Sequence, residues 1–153
     1  MAKRSAGILL FRRSGGVVEV LLGHMGGPLW ARRDAGAWSV PKGEYEPPEE
    51  PLAAARREFE EELGLPVPAG EVMSLGEARQ SSGKAVTVWA VEGDLDPGLV
   101  APGEFQMQWP PGSGKVQSFP EIDRVAWLGM DDAAVKVVAG QRPFLDRLAE
   151  QVR

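Results

Sequence analysis

The sequence predicts an α/β (α+β) protein, with strands and helices mixed along the chain and packed in layers. Three observations carry that expectation. Two segments read as β-hairpins. One central stretch has strong helix signals at both ends. The chain then closes on a strand followed by two helical segments. No repeat or internal linker divides residues 1–153, so they read as a single domain, and 153 residues suit one core of ordinary size.

In order, Ser5 to Arg13 and Val17 to Met25 read as strands joined at Ser14-Gly15-Gly16, a hairpin signal. Gly26 to Ala37 is a Gly-rich loop carrying Trp30, Arg32, Arg33 and Asp34. Trp38 to Val40 reads as a short strand and Pro41-Lys42-Gly43 as a turn. Pro51 to Leu63 is the clearest helix. Pro51 suits a first turn, Glu49 and Glu50 suit the positive end of the helix dipole, and Ala53 to Ala55 are strong helix formers. Gly64 can adopt the left-handed terminating conformation, and Pro66 blocks continuation. Val72 to Gln80 and Lys84 to Glu92 form a second hairpin, turning at Ser81-Ser82-Gly83, with alternation at Val86, Val88 and Ala90.

Asp94 to Pro120 is a long Pro- and Gly-rich excursion. Inside it Phe105, Met107 and Trp109 alternate with Glu104, Gln106 and Gln108, the mark of a short strand. A loop this long in a compact protein is more often functional than idle. Arg124 to Leu128 reads as a strand, with Asp131 to Val138 and Pro143 to Val152 as helices.

Composition narrows the function classes. Hydrophobic residues make up 43% and charged residues 25%, ordinary values for a globular protein. The net charge of −5 speaks against a broad DNA-binding surface, though not against a small phosphate-bearing ligand in a local basic pocket. No apolar run approaches the ~18 residues of a membrane span, and the N-terminal apolar run, Ile8 to Phe11, is too short for a signal peptide. There is no cysteine, hence no disulfide framework and no thiolate metal site. A cytoplasmic location, without membrane association, is the expectation; monomer and homodimer both remain open.

The central helix carries the chemistry. At ~100° per residue, Leu52, Ala55, Phe59 and Leu63 form one core stripe. Glu58, Glu61 and Glu62 share the adjoining arc, with Glu62 nearest the core, while Glu60 points to solvent. Arg57 stands one turn before Glu61 and can pair with it. Like charges at this spacing repel, so the cluster is either a solvated acidic face or a seat for a cation. The preceding Pro41-Lys42-Gly43 favours the second reading, because a backbone carbonyl there can complete an oxygen donor set suited to Mg²⁺ or Mn²⁺.

The segment from Gly43 to Leu65 resembles the Nudix box, G-x5-E-x7-R-E-U-x-E-E-x-G-U, where U is a bulky apolar residue. Gly43, Glu49, Arg57, Glu58, Phe59, Glu61, Glu62, Gly64 and Leu65 fill every specified position. The resemblance implies an α/β/α sandwich with a mixed central β-sheet and flanking helices. It implies a pyrophosphohydrolase that cleaves a nucleoside diphosphate linked to another moiety by attack of water on phosphorus. It implies Glu58, Glu61, Glu62 and the carbonyl of Gly43 as metal ligands, with more than one Mg²⁺ or Mn²⁺ per site. Arg57 would hold Glu61, and Glu49 would be mainly structural. Family members differ over which carboxylate activates water, so Glu58 is one option for the base. Divalent ions would neutralise pyrophosphate charge and stabilise the leaving phosphate.

Outside the box, Glu121 opens the last strand region, where many Nudix enzymes place a further metal ligand or base. The alternative is a solvent-facing strand entry, and Glu104 is a rival candidate. Trp38 and Lys42 in WSVPKGE resemble the branches acting on dinucleoside or diphosphoinositol polyphosphates, which makes Lys42 a candidate for an extra phosphate or else an exposed loop lysine. Arg32 and Arg33 are phosphate candidates, and Trp30 and Trp109 can stack on a base or pack in the core. His24 reads as a packed, hydrogen-bonded residue rather than a catalyst. The favoured substrate is a dinucleoside polyphosphate or similar polyphosphate. The alternatives are a damaged nucleoside triphosphate, ADP-ribose or another nucleotide sugar, or a non-catalytic nucleotide-sensing module.

Overall fold

The computed structural model describes residues 3–152. In chain order the elements are β1 (Arg4–Ser14), β2 (Val17–Met25), β3 (Trp38–Ser39), β4 (Lys42–Tyr45), α1 (Pro51–Leu63), β5 (Val72–Arg79) and β6 (Ala85–Glu92). Then follow β7 (Glu104–Gln108), β8 (Val116–Pro120), β9 (Ile122–Gly129), α2 (Met130–Lys136) and α3 (Arg142–Gln151). Short 3-10 turns lie at Pro97–Leu99 and Ala139–Gln141.

β1 organises the molecule. Its apolar run, AGILLF, buries both faces, because successive strand side chains point in opposite directions. Ala6, Ile8 and Leu10 join the core under α1 with Phe59 and Leu63. Leu9 and Phe11 join the opposite core with Phe144 and Leu148 of α3. The sheet between them is mixed. β6 runs parallel to β1, with β5 antiparallel outside it, while β2 and β4 pair antiparallel with β1. β3 and β9 both add to β2. The result is the expected three-layer sandwich, α1 on one face and α2 with α3 on the other.

The β1–β2 turn carries Gly15 at φ 58° and Gly16 at φ 82°, the positive values that a two-residue hairpin of matching twist needs. α1 has the expected bounds, and Gly64, at φ 71°, ends it by donating its N–H to the Glu60 carbonyl at 2.7 Å. Ala54 is fully buried alongside Ala55, Phe59 and Leu63, whereas Leu52, expected on the stripe, is half-buried at its margin.

Two strands depart from the sequence reading. The expected turn at Lys42-Gly43 is the start of β4. β1 holds β2 only over Phe11–Ser14, so its edge over Arg4–Gly7 is open, and β4 satisfies those backbone groups. The long excursion contains not one strand but a β7–β8 ribbon, paired from Glu104↔Pro120 to Gln108↔Val116. β8 has no core-facing alternation to reveal it, since Val116 to Ser118 are all exposed. Among the described residues, no helix is long and apolar enough to cross a membrane.

Candidate functional site

α1 delivers its acidic side chains to the edge of the sheet where β4 lies. Arg57 binds Glu49 with two parallel bonds, Nε to Oε2 at 2.7 Å and Nη2 to Oε1 at 2.9 Å. Its remaining Nη1 donates to Glu58 Oε1 at 2.9 Å and to both Glu61 oxygens at 3.1 and 3.2 Å. The pairing expected with Glu61 is therefore present, and the same fork holds two further carboxylates. Only the guanidinium geometry permits this. The Arg57 hydrogen bonds hold the Glu49 carboxyl below the usual carboxylate range.

Glu58 and Glu62 are less solvated. Glu61 has 57% of its side chain exposed, against 13% for Glu58. Burial raises Glu58, with Arg57 opposing. Burial pushes Glu62 up to about 8, and the negative charge of Glu121 adds to the shift. The Lys42 backbone N–H donates to Glu62 Oε2 at 3.3 Å. Gly43 packs directly on Glu58; a Cβ there would stand 2.0 Å from Glu58 Oε2. The missing side chain leaves a cradle in which a backbone segment and a carboxylate meet.

Glu121 belongs to this group electrostatically, since its charge acts on both Glu58 and Glu62. Its backbone is fixed at both ends, N–H to the Gly103 carbonyl at 2.8 Å and carbonyl to the Gly26 N–H at 2.9 Å. Gly103 in turn lies against the Glu61 backbone, where a Cβ would meet the carbonyl oxygen at 2.9 Å. The long excursion thus ties Glu121, the residue between β8 and β9, to α1. Glu104, the rival, lies on the ribbon and accepts from the Ser118 hydroxyl at 3.2 Å.

These groups fit a divalent cation by their chemistry. Carboxylates converge with burial and mutual repulsion raising two of them, and oxygen is the only donor type among them. Among the described residues, no three acidic or histidine side chains already stand around one point, and Arg57 engages Glu58 and Glu61.

The substrate candidates separate. Lys42 and Trp30 line one cavity of about 570 Å³ together with Met25, Ser39, Gln80 and Gln141. Burial and the neighbouring Lys84 ammonium lower Lys42, while Glu62, Glu44 and Glu58 raise it. Arg32 and Arg33 are exposed on the loop, and the Arg33 guanidinium lies 5.4 Å from the Trp30 ring centroid. Trp109 lies just beyond β7, its N–H donating to the Lys115 carbonyl at 2.9 Å, and does not line that cavity. Gln141 had no sequence signal. Its amide is buried, with Oε1 accepting from Val40 N–H at 2.9 Å and Nε2 donating to Ser39 Oγ at 3.0 Å. A lone glutamine outside any periodic pattern gives nothing to detect. His24 is packed and hydrogen-bonded, as expected.

The NUDIX domain model matches residues 1–148. Among solved structures, the chain is similar to a C. elegans Ap4A hydrolase in a binary complex, at 21% identity and TM-score 0.66, covering 97% of each chain. It is similar to the NUDIX domain of Shewanella oneidensis NrtR, complexed with ADP ribose, at 13% identity and TM-score 0.66, covering 100% of this chain and 90% of the other. It is also similar to RenU, a Nudix hydrolase from M. smegmatis, at 25% identity and TM-score 0.55, covering 96% and 84%. A search of the curated proteins found no significant match.

Proposed function

The chain belongs to the Nudix family and is a pyrophosphohydrolase acting on phosphoric anhydride bonds, and from that premise we propose that it cleaves a nucleoside diphosphate linked to another moiety, with a dinucleoside polyphosphate or similar polyphosphate as the favoured substrate. One observation carries the substrate reading. Lys42 lines the cavity walled by Trp30 while its backbone N–H bonds Glu62, and burial together with the charge of Lys84 lowers it. The carboxylates of Glu62, Glu44 and Glu58 do not offset the burial of this lysine, and a phosphate beyond the scissile bond would give it a further partner. The likeness to an Ap4A hydrolase supports the same reading. A larger groove of about 1290 Å³ borders Arg57 and Glu49, but its basic and acidic side chains balance, which suits a polyanion less well.

In this proposal Glu58, Glu61, Glu62, Glu121 and the Gly43 carbonyl would hold Mg²⁺ or Mn²⁺, more than one ion per site. When bound, the ions would neutralise pyrophosphate charge and favour departure of the leaving phosphate. Arg57 orients Glu58 and Glu61. Glu58 and Glu62, both raised by burial, are the carboxylates suited to take the proton of the attacking water. Trp30 offers a stacking face in the cavity, and Arg32 and Arg33 add positive charge at its approach. The net charge of −5 favours a small anionic ligand held locally over DNA, and a cytoplasmic nucleotide pool supplies it.

The test is a screen of dinucleoside polyphosphates, nucleoside triphosphates and nucleotide sugars with Mg²⁺ or Mn²⁺, both products identified by chromatography. Diadenosine polyphosphates are the expected substrates, and Glu62→Gln lowers the rate by ~100-fold or more, as for loss of a charged metal ligand. Full activity in Glu62→Gln overturns the site. Binding without turnover across the panel supports a sensing module instead.

A further inference from the structure

Three segments of the chain meet at the base of the β7–β8 ribbon, joined by backbone contacts. Glu121 donates its N–H to the Gly103 carbonyl at 2.8 Å, and its own carbonyl accepts from Gly26 N–H at 2.9 Å. Gly26 lies against the Pro120–Glu121 peptide, since a Cβ there would stand 2.9 Å from the Pro120 carbonyl carbon and 3.4 Å from that of Glu121. Gly103 lies against the Glu61 carbonyl of α1. Phe105 adds a side chain to this junction. Its ring lies against Gly27, where a Cβ would stand 2.8 Å from Cζ, and its centroid is 6.1 Å from that of Phe119 across the ribbon. Gly27 has φ 91°, a backbone conformation that suits glycine, and its bare Cα gives the ring a seat. The Gly27 carbonyl accepts from Trp30 N–H at 3.3 Å. The turn that presents Trp30 to the cavity therefore starts on the residue that Phe105 covers.

We propose that Phe105 is a positioning residue, with Phe119 as its support: an aromatic latch that holds the Trp30 turn and Glu121 in fixed relation to α1. One contact then sets both the cavity wall and the acidic cluster. The far part of the Gly26–Ala37 loop has its own anchors, since Asp34 accepts from Trp38 Nε1 at 2.8 Å and pairs with Lys136 at 3.3 Å. Its start is Gly26-Gly27, two residues without side chains and with the widest backbone freedom. Packing from outside has to restrict that freedom, and the Phe105 ring is placed to do so. Phe105 stands two residues after Gly103 and Phe119 two before Glu121, so the paired rings clamp the ribbon where both its strands leave the body. Aromatic cross-strand pairs add to ladder stability. Farther out, Gln106, Gln108 and Val116 to Ser118 are exposed, so the ribbon beyond the latch adds little to the junction. If the rings served only to close the ribbon on itself, loosening them would leave Gly26, Trp30 and Glu121 unaffected.

The inference rests on the proposed hydrolase reading for its kinetic consequence but not for the latch itself. Amide exchange followed by NMR on the metal-free protein reads the latch directly. In Phe105→Ala the amides of Gly26, Trp30 and Glu121 should exchange about 10-fold faster, the size expected when one aromatic contact no longer opposes local opening. The Leu9 and Leu10 amides of β1 should keep their wild-type rates. Phe105→Leu, which retains apolar bulk, should restore most of the protection. Acceleration confined to β7 and β8 overturns the proposal. With diadenosine polyphosphate and Mg²⁺, Phe105→Ala should raise KM roughly 5–10-fold through Trp30 and lower kcat by a similar factor through Glu121, with Phe105→Leu in between. Unchanged KM and kcat in the folded variant overturn the positioning role. Should Phe105→Ala fail to fold, Phe119→Ala removes the support and carries the test through the same readouts; unchanged exchange at Gly26, Trp30 and Glu121 then counts against the latch. If the wild type hydrolyses nothing in the panel, the hydrolase reading fails while the exchange result still decides the latch.

Discussion

At the scale of single residues, Arg57 explains most of the carboxylate geometry. Its pair with Glu61 is exposed and its pair with Glu49 only part-buried, and ion pairs open to solvent contribute little to stability. Stability therefore does not account for one guanidinium serving three carboxylates; orientation does. Lysine keeps the charge but offers a single point donor and cannot serve Glu49, Glu58 and Glu61 together. Arg57→Lys should leave the thermal midpoint nearly unchanged while lowering metal affinity or kcat by roughly 10–100-fold, the usual effect of removing a partner that orients ligands. Isothermal titration with Mg²⁺ and steady-state kinetics on the same preparation check this, and equal values for both proteins would refute it. This cluster was legible in the sequence because its members share one helix, where 3.6-residue periodicity fixes their directions. His24 and Asp123 are 99 positions apart, and no local pattern could have joined them.

At the scale of elements, α1 was readable to its termini because cap, dipole and stop signals coincide there. β4 and β8 were not. β4 exists because β1 leaves an open edge, and β8 because β7 needs a partner; both causes are tertiary. The β4–α1 contact yields a prediction that separates chemistry from folding. In Gly43→Ala the new Cβ would stand 2.0 Å from a carboxylate oxygen at the end of a flexible side chain, so Glu58 must turn away. Gly26→Ala would place Cβ 1.9 Å from the Pro120 carbonyl oxygen, which is backbone and cannot move without shifting the β8–β9 junction at Glu121. Gly43→Ala should lose most activity with a small change in urea midpoint. Gly26→Ala should lose about 1–3 kcal/mol of stability, the usual cost of overpacking. If Gly43→Ala keeps wild-type kcat, Glu58 does not act from the position the structure gives it.

At the scale of the whole molecule, stability is unevenly distributed. β1 lies between two cores, pairs with β2, β4 and β6, and has Ile8, Leu9 and Leu10 fully buried. The β7–β8 ribbon pairs only with itself. It meets the body mainly at its base, where the Phe105 ring lies against Gly27 and 6.1 Å from Phe119. Local opening costs least where few apolar contacts must break. Amide exchange should therefore be fastest in β7 and β8 among the strands and slowest in β1 and β6, with the α1 amides beside Phe59 close behind. Exchange followed by mass spectrometry at several protein concentrations tests the ranking. Ribbon amides protected as strongly as those of β1 would contradict it, and protection that grows with concentration would show that a second copy covers the ribbon. The proposed site lies between these extremes. Its carboxylates stand on the rigid helix, while Glu121 is reached through the end of the excursion that carries the ribbon. That division explains why the sequence disclosed the reaction more fully than the substrate. The reaction depends on spacing within one element, and the substrate depends on how the Gly26–Ala37 loop, β4 and the long excursion are brought together by the fold.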